Sequence, residues 1–282
     1  GYVSIGERVP DSTATAAAGG ASSRLVNALR SPIPIAGFGL RAGAVTYRSG
    51  AQPSVVVALE AGAGASAPTR NGPLEVGVAF VDRDGQVIAD RREVLTLSLT
   101  GELLERSQAA GLRLLERLAV APGAHELRVA VHDVTTGEVA SLAVDVQVPD
   151  LGPARLAMSE PVLGSADDDV VTVREDDALR ASMHALMPTL RRQFSSREEL
   201  GVYVEVYSAE PYDVATEIRT SSKEIAYDTR EPTRDGRDPG MLQRIPLDDL
   251  EAGTYELVVR AIARSGTSVE RRVAFTVVGE TR

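Results

Sequence analysis

The feature that most constrains this chain is a repeat of itself. Leu115-Glu116-Arg117-Leu118 leads into Pro122-Gly123-Ala124-His125-Glu126-Leu127-Arg128-Val129-Ala130-Val131. Later, Leu242-Gln243-Arg244-Ile245 leads into Ala252-Gly253-Thr254-Tyr255-Glu256-Leu257-Val258-Val259-Arg260-Ala261. Leu115 and Leu242 stand 127 positions apart, a whole-domain spacing rather than the period of about 20–50 residues that marks a solenoid. A turn glycine follows in each copy, Gly137 or Gly266, and then a closing β-rich run, Val139 to Val148 or Val269 to Val278. Two similar domains in tandem account for this pattern.

Period-two text gives the repeat its physical meaning. From Gly253 to Ala261, Tyr255, Leu257, Val259 and Ala261 share one face and Glu256 and Arg260 the other. That is an antiparallel strand with one face buried. A loop glycine before it and a hairpin after it match the last two strands of an immunoglobulin-like sandwich. Tyr255 stands where such folds place a tyrosine whose hydroxyl bonds back to nearby backbone, here expected around Pro246 to Leu250. His125 occupies that position in the first copy and, being shorter, is expected to tie its corner differently. Leu127 and Leu257 are expected to be equivalent core positions.

The rest of the chain follows the same plan. Residues 1–31 read as a linker or the tail of an upstream domain, with Gly19-Gly20 in a small, polar stretch. A short helix is expected from Ser23 to Arg30, capped by Ser22 or Ser23. Residues 32–149 read as a first β-sandwich, 150–153 as a stiff Pro/Gly hinge, and 154–282 as a second sandwich. In the first, Ser54 to Glu60 is an apolar run of strand length. Val76, Val78 and Phe80 alternate with smaller residues, and Asp82-Arg83-Asp84-Gly85 signals a turn. Gly101 to Leu115 has helical spacing and is expected to cross an end of the sandwich. In the second, Leu200, Val202, Val204 and Val206 alternate with Gly201, Tyr203, Glu205 and Tyr207, and Thr229 to Gly240 reads as a charged loop. The expected fold is all-β: two tandem immunoglobulin-like or fibronectin-like antiparallel sandwiches, with one short helix in each connection region.

Composition narrows the function. The 282 residues are 43% hydrophobic but only 4% aromatic, with no Trp, so the cores must be built from Val, Leu, Ile and Ala. A net charge of −10 argues against binding nucleic-acid phosphates or an anionic membrane surface. The apolar runs are too short for a membrane span. Without cysteine there is no disulfide framework, thiolate metal site or cysteine nucleophile. The sequence starts at Gly1 with no signal peptide, so any targeting information is expected upstream.

Several segments together resemble a known family. Ala28-Leu29-Arg30-Ser31-Pro32-Ile33-Pro34 is similar to the segment following the A-type domain in bacterial von Willebrand factor A-related proteins. So are Pro122-Gly123 with His125 to Asp133, and Val146 to Leu151. Phe194-Ser195-Ser196-Arg197-Glu198-Glu199-Leu200 before Val204-Glu205-Val206-Tyr207 resembles the second domain of the same proteins. The resemblance spans most of residues 24–280. It implies a secreted or envelope protein, extracellular or periplasmic, with a metal-dependent A-type domain upstream whose metal site this chain does not carry.

Gly37-Phe38-Gly39-Leu40-Arg41-Ala42 matches a dinucleotide fingerprint in letters only. The mechanism needs a strand before it and a helix after it, whereas Pro32 and Pro34 precede and Val45 to Tyr47 follow. Asp11-Ser12-Thr13-Ala14-Thr15 imitates an A-domain metal motif but lacks the apolar strand that would hold it, and reads as linker. His125 and His132 lie an odd number of residues apart on one strand, so they face opposite sides and cannot share a metal. His184 is a candidate lone metal ligand, with an ordinary surface or helix-end histidine as the plainer reading.

The acidic runs Asp167-Asp168-Asp169 and Asp176-Asp177 are the weak metal candidates. Converging loops can supply the six to eight oxygens that calcium wants, although solvated surface charge is the plainer reading. Tyr203 and Tyr207, with Tyr212 beyond, form a candidate interaction surface, either a protein contact or a sugar-stacking platform. The expectation is therefore a non-enzymatic structural, adhesive or protein-interaction segment with no cofactor. Its partners would be proteins or neighbouring domains, and a calcium- or glycan-binding module is the alternative.

Overall fold

The computed structural model describes residues 19–49, 52–62, 68, 71–152, 156–165, 168–174, 186–236 and 238–279. Among the described residues strand predominates and helix is confined to two elements, so the all-β expectation holds. Two compact units emerge. The first takes described residues within Gly1–Ala44, Val55–Val148 and Asp169–Asp176. The second takes those within Val45–Ser54, Pro149–Asp168 and Asp177–Arg282.

β1 (Leu40–Ser49), β2 (Gln52–Ala61), β5 (Leu112–Ala119) and β10 (Val171–Arg174) form one sheet in the order β1-β2-β5-β10, which belongs to the first unit except for Val45–Ser49 of β1 and Gln52–Ser54 of β2. The other sheet contains β3 (Asn71–Val81), β4 (Val87–Ser98), β6 (Gly123–Asp133) and β7 (Val139–Val148), in the order β4-β3-β6-β7. Alternate residues of both sheets meet in one core. Val55, Val57 and Leu59 meet Val76, Val78 and Phe80, with Leu112, Leu114, Leu127, Val129 and Val131 completing it. Each such side chain contributes about 1.5–3 kcal/mol by leaving water. The Asp82 turn forms as expected. Asp82 Oδ1 accepts from the N–H groups of Asp84 and Gln86, both at 2.9 Å, and Gly85 takes φ +79°.

In the second unit, β11 (Gln193–Ser195), β13 (Tyr212–Thr220), β14 (Ile225–Arg234), β16 (Gly253–Ala263) and β17 (Ser268–Val278) pair in the order β11-β17-β16-β13-β14. Opposite them, β12 (Glu199–Tyr207) pairs with β15 (Gly240–Pro246) on one side. On its other side it pairs with β8 (Ala157–Met158) and β9 (Val162–Ser165). Leu200, Val202, Val204 and Val206 point into the core, as their alternation predicts, and meet Leu257, Val259, Phe275 and Val277.

Four expectations are corrected. Gly101 to Leu115 is not one helix: α2 (Gly101–Ala110) stops at Gly111, and Leu112 starts β5. Gly111 adopts φ +97°, and a Cβ there would lie 2.9 Å from the carbonyl oxygen of Ala61, so only glycine fits this close approach. The helical segment near Ser23 begins earlier, as α1 (Gly19–Arg30), and is not part of a tail. Its Leu25, Ala28 and Leu29 are buried with Ala130 against the outer face of β3, β6 and β7. Both helices belong to the first unit, and among the described residues of the second none is helical, rather than one helix in each connection. Thr229 to Arg234 is strand rather than loop, because β13 supplies β14 with an antiparallel ladder.

Candidate functional site

The repeat places two corners under closer view. Tyr255 donates its hydroxyl to the carbonyl oxygen of Glu251 at 2.8 Å, one residue beyond the expected stretch, and its ring stacks on Phe275 at 5.7 Å. Burial raises the pKa of this hydroxyl, with the Glu251 carboxylate adding to the effect. His125 was expected to tie its corner differently. Its Nε2 instead reaches the carbonyl oxygen of Ala121, also at 2.8 Å and also four residues back. Leu127 and Leu257, the paired core positions, are both 0% exposed.

The tyrosines proposed as an interaction surface are not available. Tyr203, Tyr207 and Tyr212 are 0%, 3% and 1% exposed. Tyr212 lies in the core of the second unit, and burial raises its pKa. Tyr203 and Tyr207 do lie on the face of β12 opposite the core, but within the second unit that face is covered. Tyr47 packs on Tyr203 at 6.3 Å between ring centroids. Arg48 stacks its guanidinium over Tyr207 at 4.6 Å and donates its backbone N–H to the Tyr207 hydroxyl at 2.8 Å. Leu151 and Ala157 close the same side of Tyr207.

Between the two rings sits Glu205, which accepts from Tyr203 at 2.9 Å and from Tyr207. Burial, then the neighbouring Glu205 charge, pushes the Tyr207 pKa far up, so this phenol acts as a donor. Period two alone puts residues 203, 205 and 207 on one face. The sequence therefore contained this triad, though not what covers it. A buried, doubly bonded carboxylate of this kind holds strand geometry; it offers no open face for a sugar.

A second acidic centre escaped the sequence reading. Glu198 accepts from Ser165 Oγ at 2.6 Å, from the Ser195 N–H at 2.7 Å and from the Arg191 guanidinium. Burial would raise its pKa, but these bonds together outweigh burial and hold it below the usual carboxylate value. Its local signal was Ser195-x-x-Glu198: the Glu198 N–H closes a tight turn onto the Ser195 carbonyl at 3.0 Å. Ser165 and Arg191 come from elsewhere and had no signal.

In the first unit, His132 Nδ1 meets Glu75 Oε2 at 3.0 Å, and Arg113 meets Glu60 at 2.8 Å; all four residues are buried. His132 and His125 do face opposite sides of β6. An open groove of about 560 Å³ lies on the outer face of the sheet beside the Asp82 turn, lined by Asp82, Arg83, Glu126, Arg128, Asp145 and Gln147 among others. Arg128 pairs with Glu126 and also reaches the carbonyl of Leu29 at 3.4 Å, at the end of α1. The histidine beside this groove, His125, is committed to its corner bond.

Of the acidic metal candidates, Asp169 faces Arg106 at 3.7 Å, a cation partner rather than a cation site. Asp168 is described without a neighbouring carboxylate cluster. Asp167, Asp176, Asp177 and His184 lie outside the described residues, as do Asp11 to Thr15. The Gly37 fingerprint is followed by β1, not by a helix. Gly37 itself is a close-packing position, where a Cβ would lie 2.3 Å from the Val139 carbonyl oxygen. Among the described residues no helix is long and apolar enough to cross a membrane.

No protein-family model matches the chain and no curated protein does. Among solved structures it is similar to dimeric latent PorU from Porphyromonas gingivalis, with TM-score 0.37 and 12% identity, over 90% of this chain and 21% of that one. It is also similar to a tetra-tandem repeat in the extending region of a large adhesion protein, with TM-score 0.24 and 11% identity, over 84% of this chain and 48% of that one. The chain thus spans less than half of either structure, and at these scores the likeness carries no argument about function.

Proposed function

We propose that this chain is a non-catalytic structural and protein-interaction segment of an exported von Willebrand factor A-related protein, and that it spaces or presents an A-type domain preceding it. One observation carries the reading. Buried side chains that could do chemistry are committed to internal bonds: His132 to Glu75 and Arg113 to Glu60 between neighbouring strands, Tyr203 and Tyr207 to Glu205 along β12, and Ser165 to Glu198. Buried pairs of this kind add little net stability but specify geometry, since breaking one leaves an uncompensated polar group.

Strand order supports the same reading. In each unit a sheet built on the first, second and fifth core strands faces one built on the fourth, third, sixth and seventh. We read this order as an immunoglobulin-like plan with the fourth strand moved beside the third. The equivalent corner bonds of His125 and Tyr255 support a tandem duplication of that plan. The compartment implied is the cell surface or envelope, and the partners implied are neighbouring domains or another protein.

The test uses the full-length protein. Replacing residues 32–280 by two unrelated sandwiches of equal length should preserve ligand capture by the A-type domain, whereas deletion should abolish it. Loss of a chemical activity after a point substitution here that leaves the fold intact would overturn the proposal.

A further inference from the structure

One strand of the first unit breaks the rule that builds the others. β10 lies parallel to β5, pairing Val171 with Leu112, Thr172 with Arg113 and Arg174 with Leu114, with a register irregularity after Thr172. A parallel neighbour cannot be joined by a tight hairpin, and this one comes from far along the chain. It is nevertheless well received. Val171 and Val173 are 4% and 0% exposed and belong to the first unit's core. The Val171 N–H is held by the Gly111 carbonyl at 3.1 Å. α2 packs along the strand, and its Arg106 faces Asp169 just before it.

The edge of β5 therefore has the parts of a strand-accepting site: a ladder, two apolar seats at alternate positions and a cation at the entrance. Strand addition to such an edge draws its affinity from main-chain bonds and its selectivity from the alternate side-chain seats. Without a tenant, the edge would present unpaired N–H and C=O groups, which invite another chain. A ladder this short and irregular belongs to the least stable part of a fold, where local opening is frequent.

We propose that the β5 edge is an exchangeable site for a parallel Val-x-Val strand, and that residues 171–174 of a second copy of this chain can take the place of the chain's own. The segment's fit is already displayed by its resident copy, and Asp169 brings the charge that Arg106 faces. Exchange of one identical element between two copies makes a dimer without any new interface chemistry. This goes beyond the presenting role and does not depend on it.

The experiment uses the whole chain. After warming to just below the unfolding transition and cooling, sedimentation velocity over a range of concentrations should show a dimer. An excess of the synthetic peptide Asp168–Arg174 should dissolve that dimer, and the same peptide with both valines replaced by Asp should not. A chain that stays monomeric throughout, or a dimer indifferent to the valine peptide, overturns the proposal. In a second arm, Val171→Pro removes the N–H held by the Gly111 carbonyl while leaving Val173 in place. Fluorescently labelled peptide should bind this variant more tightly than it binds the parent, and the Asp-substituted peptide should bind at least about tenfold more weakly than the valine peptide. Equal binding of both peptides would again overturn it.

Discussion

The two units share a four-strand framework and treat its outer face in opposite ways. In the first, Gly77, Ala130 and Val139 leave a shallow seat on β3, β6 and β7, and α1 fills it with Leu25 and Leu29; a Cβ on Gly77 would lie 2.6 Å from Leu29. In the second, the same face is a ladder of charges in water. Glu270 bonds Arg260 at 2.9 Å and Arg272 at 2.7 Å, Arg272 reaches Glu256 at 3.2 Å, and Arg219 bonds Glu217 at 2.8 Å. Counted from the corner residues His125 and Tyr255, Ala130 and Arg260 occupy the same place. A sheet face is therefore not apolar or polar by its strand order. It takes small residues where something must sit close and charged ones where nothing does.

The deepest test of the equivalence is the shared core. Leu127→Ala and Leu257→Ala should each cost about 2–5 kcal/mol by leaving a cavity, read from urea midpoints. A cost near zero in one unit only would break the correspondence. Next comes the helix seat: Gly77→Val should cost about 1–3 kcal/mol through overpacking under Leu29, with loss of helical signal in circular dichroism. If α1 stays docked at no cost, the small residues are not what admits it.

Glu198 sharpens the comparison through pH, since its bonds lie in the second unit alone. Its folded pKa is depressed below the ordinary 4.5. Its contribution is therefore present above that value and lost as pH falls through the folded pKa. Glu198→Gln should flatten the acid limb of the stability curve below about pH 4.5 relative to the parent; an unchanged slope in urea titrations from pH 7 to 3 would show the carboxylate is not held there. At the corners, Tyr255→Phe and His125→Phe should each cost about 1 kcal/mol for one lost bond to a backbone carbonyl. If only one does so, the corners are alike in geometry but not in energy. The smallest effect belongs to the exposed ladder: Arg260→Ala should change stability by less than about 1 kcal/mol, and added salt should shrink even that.

What the amino-acid sequence determined by itself is whatever depends on nearest neighbours along the chain. Alternation assigned the inward faces of β12 and β16. Gly85, Gly137 and Gly266 marked turns where all three now adopt positive φ. The repeat matched β5 with β15 and β6 with β16 before any coordinates. The three misjudged local segments have local reasons too. A single glycine at 111 divides a pattern that helical spacing alone joins, β14 is a charged edge whose polarity imitates a loop, and α1 starts before its expected serine cap.

The remainder was decided by contacts between residues distant in the chain. Tyr203 and Tyr207 lie on the outer face of β12, as period two requires. Only the packing of Tyr47 and Arg48 onto that face turns a would-be binding surface into a buried hydrogen-bonded triad. The seat for α1, the partners of Glu198 and the parallel reception of β10 arise in the same way. Periodicity reports which side of a strand a residue occupies, but whether that side meets water depends on what the rest of the chain lays across it.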